Sequence, residues 1–216
     1  MKTDADLKRD VVEELSWDPA VNATAIGVAV KEGVVTLAGH LDTLADKYAI
    51  ERALHRVAGV KAIALELDVR LSPEHRRSDT EIAAAAEQAL RWNSMVPAER
   101  VRVTVERGAI TLGGEVDWDY QRQAAFKAVR HLIGVTAVRN DILIRSGKTR
   151  SDVAARIKDA LARQAAREAA RVEVDIAEGT VTLRGTVHSL AERKAVVGAA
   201  FAAPGVRAVV NDLTVG

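Results

Sequence analysis

Apolar positions along the chain fall into two rhythms, one of about four residues and one of two, and the pair occurs three times. Leu7, Val11 and Leu15 step by four, as do Ile82, Ala86, Leu90 and Val153, Ile157, Leu161. That spacing marks one face of an amphipathic helix. Alternation follows at Ile26, Val28, Val30, at Val101, Val103, Val105 and at Val172, Val174, Ile176, the pattern of a strand with one buried face. The strands break at Glu32-Gly33, Arg107-Gly108 and Glu178-Gly179, where a glycine suits a tight hairpin. The return strands VVTLAGHL, AITLGGEV and TVTLRGTV point Val35, Leu37, Gly39 and Leu41, and their equivalents, inward.

A second helix is predicted over roughly 43–57, 118–132 and 189–202. Its stripes Ala49 and Ala53, Ala124 and Ala128, Ala195 and Ala199 would lie close on the sheet. Ser78 with Glu81 and Ser189 with Glu192 read as capping boxes. A last strand then runs over 60–69, 135–144 and 206–215.

Glycines punctuate the three units identically: Gly33, Gly39, Gly59; Gly108, Gly114, Gly134; Gly179, Gly185, Gly205, with offsets of 6 and 20 in each set. The first of each set is the hairpin glycine. The second falls on the inward phase of the return strand, where a missing side chain would admit the second helix. The third reads as the C-cap of that helix. Regular spacing of this kind indicates duplication. The fold class is therefore α+β: three tandem αββαβ repeats, each a three-stranded mixed sheet with two helices on one face, at 3–71, 78–145 and 149–216.

These residues resemble the BON domain, named for bacterial osmotic-shock and nodulation proteins. The third repeat carries the likeness best, with Gly179 to Val187 (GTVTLRGTV) and Gly205-Val206 leading to Val210-Asn211-Asp212-Leu213-Thr214-Val215. The second has Asn140-Asp141-Ile142, and the first departs with Leu65-Glu66-Leu67. The resemblance implies a membrane or stress-related role and a family that is often exported. Its motif consists of turn glycines and core apolars and names no ligand.

Composition narrows the chemistry. Lys and Arg number 31 against 30 Asp and Glu, giving a net charge of +1, which is poor for a dedicated nucleic-acid binder. A comparison with KH modules fails for want of a GxxG clamp. There is no cysteine, hence no disulfide, thiol nucleophile or thiolate metal site. The five histidines, His40, His55, His75, His131 and His188, stand at different places in the repeat frame and make no ligand motif. No nucleophile elbow or phosphate-binding loop occurs. A non-enzymatic protein without metal or cofactor is expected.

Asp117 and Asp119, flanking Trp118, could hold a cation but are better placed to cap a helix. Asn140 and Asn211 fall on the inward phase of the last strand and read as amides bonded to nearby backbone, with a ligand contact as the alternative. Trp17 and Trp92 share one repeat position, either as core wedges or, with Trp118 and Tyr120, as rings offered to a headgroup layer or a partner. Charge follows a gradient: residues 1–71 are net −3, 72–145 net +1 and 146–216 net +3. The basic end gathers Lys148, Arg150, Arg156, Lys158, Arg163, Arg167 and Arg171, a solvated face or a site for an anionic surface.

Two functions are thus expected: association with anionic phospholipid or a membrane-bound partner, or a protein-interaction or self-assembly scaffold using exposed sheet faces and edges. A charged N-terminus without an apolar core of a signal peptide gives the cytoplasm as the expected compartment. The longest apolar run, Ala195 to Pro204, is too short to span a bilayer.

Overall fold

The computed structural model describes residues 2–145, 172–177, 179–203 and 206–216. The chain divides into two compact units, Met1–Val116 with Tyr120–Leu143, and Asp117–Asp119 with Ile144–Gly216. The first unit holds the first two repeats.

The first repeat runs α1 (Asp4–Trp17), β1 (Ile26–Lys31), β2 (Val34–Leu41), α2 (Leu44–Leu54) and β3 (Ala62–Val69). The hairpin pairs β1 and β2 antiparallel, and the α2 crossover returns β3 parallel to β2. Short 3-10 turns at Pro73–His75 and Ala98–Arg100 flank the second copy: α3 (Asp79–Trp92), β4 (Val101–Glu106), β5 (Ala109–Val116), α4 (Asp119–Val129), β6 (Ala137–Asn140) and β7 (Leu143–Ile144). Here β6 and β7 both pair with β5, the last strand being broken after Asn140. In the third repeat β8 (Val172–Ala177), β9 (Thr180–Val187) and β10 (Ala208–Val215) form the same mixed sheet, with α5 (Leu190–Phe201) as its crossover helix. The predicted first helix of that repeat lies outside the described residues, as does Gly205.

Each sheet buries one face. Val35, Leu37 and Leu41, then Ile110, Leu112 and Val116, then Val181, Leu183 and Val187 are all at most 3% exposed, so the two-residue rhythm is read correctly. The helix stripe Leu7, Val11, Leu15 and its copy Ile82, Ala86, Leu90 lie on those faces at 2% exposure or less. Ser78 and Glu81 form a full capping box, and Thr43 with Asp46 forms another on α2 that the sequence reading lacks. At α5 the Ser189 hydroxyl accepts from Glu192 N, while the Glu192 carboxylate accepts from His188 N instead of closing the box.

Three local expectations are corrected. The sheet glycines do not make room for the second helix. Gly114 has φ +112°, and a Cβ there would lie 2.1 Å from the carbonyl oxygen of Arg100, the residue entering β4. Gly39, at φ +150°, meets the Ala25 carbonyl in the same way, also at 2.1 Å. These positions are closed to side chains by backbone, not by alanine. Second, α2 and α4 end at Leu54 and Val129, well before Gly59 and Gly134, which lie in a following turn and are not C-caps. Third, Ala195 is exposed; the buried stripe of α5 is Val196, Ala199 and Ala200, one step around the helix.

The hairpins carry one further device. Glu32 and Arg107, both non-glycine residues, have φ of 53° and 52°, a conformation that L residues adopt at some cost. Asp4 at the start of α1 accepts from the amides of Glu32 and Gly33 at 2.7 and 3.1 Å. Asp79 does the same for Arg107 and Gly108, both at 2.8 Å. A carboxylate in the first helical turn therefore pins the strained turn, and α1 and α3 are each anchored at their N-terminal end. At the matching sequence position the third repeat has Arg150, outside the described residues.

Candidate functional site

Two groups of side chains in the first two repeats are not used by the core. The first comprises the tryptophans. Trp17 and Trp92 are the last residues of α1 and α3 and are 83% and 84% exposed. This overturns the core-wedge reading: the i, i+4 face of each helix that enters the core ends at Leu15 and Leu90, two residues earlier. Trp118 and Tyr120, at the start of α4, are 42% and 55% exposed.

The surroundings of the two helix-end rings differ. Beside Trp17, Arg56 donates from Nε to Glu14 at 2.6 Å and from its terminal nitrogen to Asp18 at 2.8 Å. The Arg56 guanidinium holds the Asp18 carboxyl below its usual range, and is itself held more firmly protonated. Beside Trp92 the chain turns through Asn93, whose side chain accepts from Met95 N at 3.0 Å. That turn leaves Met95 exposed as well. Trp92 and Met95 are thus two large apolar side chains on one short turn.

The second region is the seam between the first two repeats. Leu44 and Tyr48 of α2, with Val69, join the core cluster of the second repeat. The Tyr48 ring stands edge-on to Phe126 at 5.7 Å and to His131 at 6.2 Å. The Arg130 guanidinium lies 5.0 Å from the Tyr48 centroid and 5.9 Å from that of Phe126, within cation–π range. Arg130 Nε donates to His131 Nε2 at 3.0 Å. Desolvation, then the charges of Arg130 and Arg52, lower the pKa of His131; burial raises that of Tyr48. A shallow cleft beside the seam is lined by Leu44, Leu71, His75, Arg130, Leu132 and Ile133. The His75 ring at its edge shares a 3.0 Å hydrogen bond between Nδ1 and the Ser72 hydroxyl.

The sequence reading missed this seam. Its signal was the placing of Tyr48 and Phe126, rings within second helices whose inner positions are otherwise mostly alanine.

Of the other candidates, Asn140 donates to the Arg122 carbonyl at 3.1 Å and accepts from Ile142 N at 3.3 Å, and Asn211 accepts from Leu213 N at 3.2 Å. Both amides serve the backbone, as read from sequence. Lys148, Arg150, Arg156, Lys158, Arg163, Arg167 and Arg171 lie outside the described residues. Among the described residues no three His, Cys, Asp or Glu side chains gather in a metal-holding group, and no helix is long and apolar enough to cross a membrane.

Against known proteins, the model of a family described as BON domain matches residues 3–70, 78–146 and 149–216. Osmotically-inducible protein Y of Escherichia coli (strain K12) is 30% identical over 143 residues, spanning 62% of this chain and 71% of that protein. Two solved structures of CdsD, a structural protein of the type III secretion system of Chlamydia trachomatis, are 18% and 17% identical. They cover 98% and 100% of this chain and 92% and 100% of their own, each with a TM-score of 0.27.

Proposed function

Since the chain belongs to the BON domain family, matched in three successive segments, we propose that it is a non-enzymatic binding protein of osmotic or envelope stress that associates with an anionic phospholipid surface. Its likeness to an osmotically inducible protein supports the stress setting. The observation that carries the surface reading is the exposure of Trp17 and Trp92. An indole has an apolar body and one polar N–H, which suits the boundary between headgroups and acyl chains.

The two rings are not equal in this role. Glu13, Glu14 and Asp18 neighbour Trp17 in the sequence, with only Arg56 paired against them, in a repeat of net −3, and negative charge opposes approach to an anionic leaflet. Trp92, with Met95 beside it in a repeat of net +1, is the favoured contact. The basic residues of the third repeat, from Lys148 to Arg171, would supply the sequence-nonspecific attraction, at about 1 kcal/mol per cation close to the surface.

The test is co-sedimentation of the full chain with phosphatidylglycerol or phosphatidylcholine vesicles at low and physiological salt. Binding to the anionic vesicles alone, weakened by salt and by Trp92→Ala more than by Trp17→Ala, is the expected result. No binding at low salt removes the lipid reading and leaves the membrane-bound partner. The cytoplasmic expectation is checked separately by fractionation, and recovery of the chain in an osmotic-shock extract overturns it.

A further inference from the structure

We infer that the seam between the first two repeats binds a soluble phosphate group, inorganic phosphate or a small monoester, in the cleft beside Arg130. The inference does not rest on the lipid reading. Arg130 is already fixed in the seam: its guanidinium lies over the Tyr48 and Phe126 rings at 5.0 and 5.9 Å, and its Nε donates to His131 Nε2 at 3.0 Å. A guanidinium has five N–H donors, so the two terminal nitrogens keep four of them. Accepting through Nε2 puts the proton of neutral His131 on Nδ1, a further donor. Tyr48 and Arg52 stand four residues apart on α2 and therefore on one side of it. A second guanidinium thus lies one turn along the same edge, and its charge reaches His131.

Among the described residues no carboxylate pairs with either arginine. Residues 121–135 include Arg122, Lys127, Arg130 and His131 and no Asp or Glu. The two carboxylates of α2 are engaged elsewhere: Asp46 closes the Thr43 capping box, and Glu51 lies 3.6 Å from His55. Asp18, which also feels the charge of Arg52, is bonded to Arg56 at 2.8 Å. In the linker, Glu74 is followed by Arg76 and Arg77. Positive groups brought together in a partly buried seam repel one another, and an anion seated among them reverses the sign of that interaction.

The cleft sets the class of that anion. It has a volume of about 100 Å³ and carries His75, Arg130 and His131 on its wall. A space so far below that of an ordinary ligand pocket takes one small group and leaves out a nucleotide. A carboxylate has two oxygens and one charge, which Arg130 alone would satisfy. A phosphate monoester carries about −1.5 to −2 near pH 7 and presents three acceptor oxygens, enough to meet donors from both repeats. Bound there, it ties α2 of the first repeat to the end of α4 in the second.

The full chain is titrated with sodium phosphate, against sodium chloride at matched ionic strength, by calorimetry and by NMR of the His131 ring, assigned with His131→Asn. A Kd of about 1 mM and a His131 ring that titrates at higher pH in phosphate than in chloride are the expected results. Arg130→Gln should weaken binding about tenfold. Arg52→Gln, at an exposed position that leaves the Arg130 stack in place, should weaken it about threefold. Trp92→Ala should leave phosphate binding unchanged, and Arg130→Gln should bind phosphatidylglycerol vesicles as the parent does. Absence of both heat and a His131 shift overturns the inference, as does binding untouched by both glutamine variants. Vesicle binding lost together with phosphate binding in Arg130→Gln assigns the cleft to a lipid headgroup and overturns it too.

Discussion

The first repeat exposes Gly27, Ala29, Ala38 and Ala64 on its sheet, and the second exposes Arg102, Thr104, Gly113 and Arg139 at the same places. Beneath those faces the two copies coincide: Val35, Leu37 and Leu41 stand where Ile110, Leu112 and Val116 stand, equally buried. The helix clamp onto the hairpin is the same, through Asp4 in one and Asp79 in the other. The difference separates what the fold demands from what it leaves open. Inward positions and turn contacts are held by packing and hydrogen bonding; outward positions answer only to whatever meets them.

The sharpest way to break this comparison is through the shared frame. Gly114→Val should cost about 3 kcal/mol, since it combines overpacking with a positive φ that valine does not tolerate. Gly39→Val should cost about the same in the first repeat. Chemical denaturation of each variant measures this, and an unchanged midpoint for either would show that backbone does not close that site. Next comes the clamp. Asp79→Ala leaves two turn amides to water and releases the start of α3, at about 1–2 kcal/mol. Asp4→Ala should fall within the same range if the two repeats use it equally.

The smallest expected effect concerns the seam, where the repeats meet and are not equivalent. His131 has a pKa below its ordinary 6.5 in the folded chain, so its contribution is complete above that pH and is lost as pH falls through and below it. The protonated ring has no lone pair for Arg130 Nε, and it adds a third positive charge to those of Arg130 and Arg52. Melting curves at pH 7.5 and 5.5 should therefore show a small acid destabilisation, reduced in His131→Asn. Equal losses in both proteins would place the acid sensitivity elsewhere.

Much of the frame was legible because it rests on periodicity. The four-residue stripe ending at Leu15 and Leu90 and the inward set of each return strand follow from local geometry alone, as do the bonds that Asn140 and Asn211 accept from the amides two residues on. What was illegible depends on chain that is distant or on phase at an element's end. Gly114 is required by the Arg100 carbonyl, which no spacing rule brings opposite it. Trp17 and Trp92 could be read as core wedges or as exposed rings, and only helical phase at the element's end decides for exposure. The Tyr48 and Phe126 contact arises only when two repeats pack, and sequence within either one contains no trace of its partner.

Each sheet closes within its own repeat, and the central strands of the three are nearly interchangeable, with Val35-Thr36-Leu37, Ile110-Thr111-Leu112 and Val181-Thr182-Leu183 at their middles. Neighbouring units so alike are prone to exchange strands when they refold together. The order of synthesis works against that error. Every sheet contact of the first repeat lies between residues 26 and 69, so its hairpin and crossover are complete before the second return strand leaves the ribosome. Refolding from denaturant loses this order, and the intact chain should recover more slowly than its small, locally wired sheets would on their own.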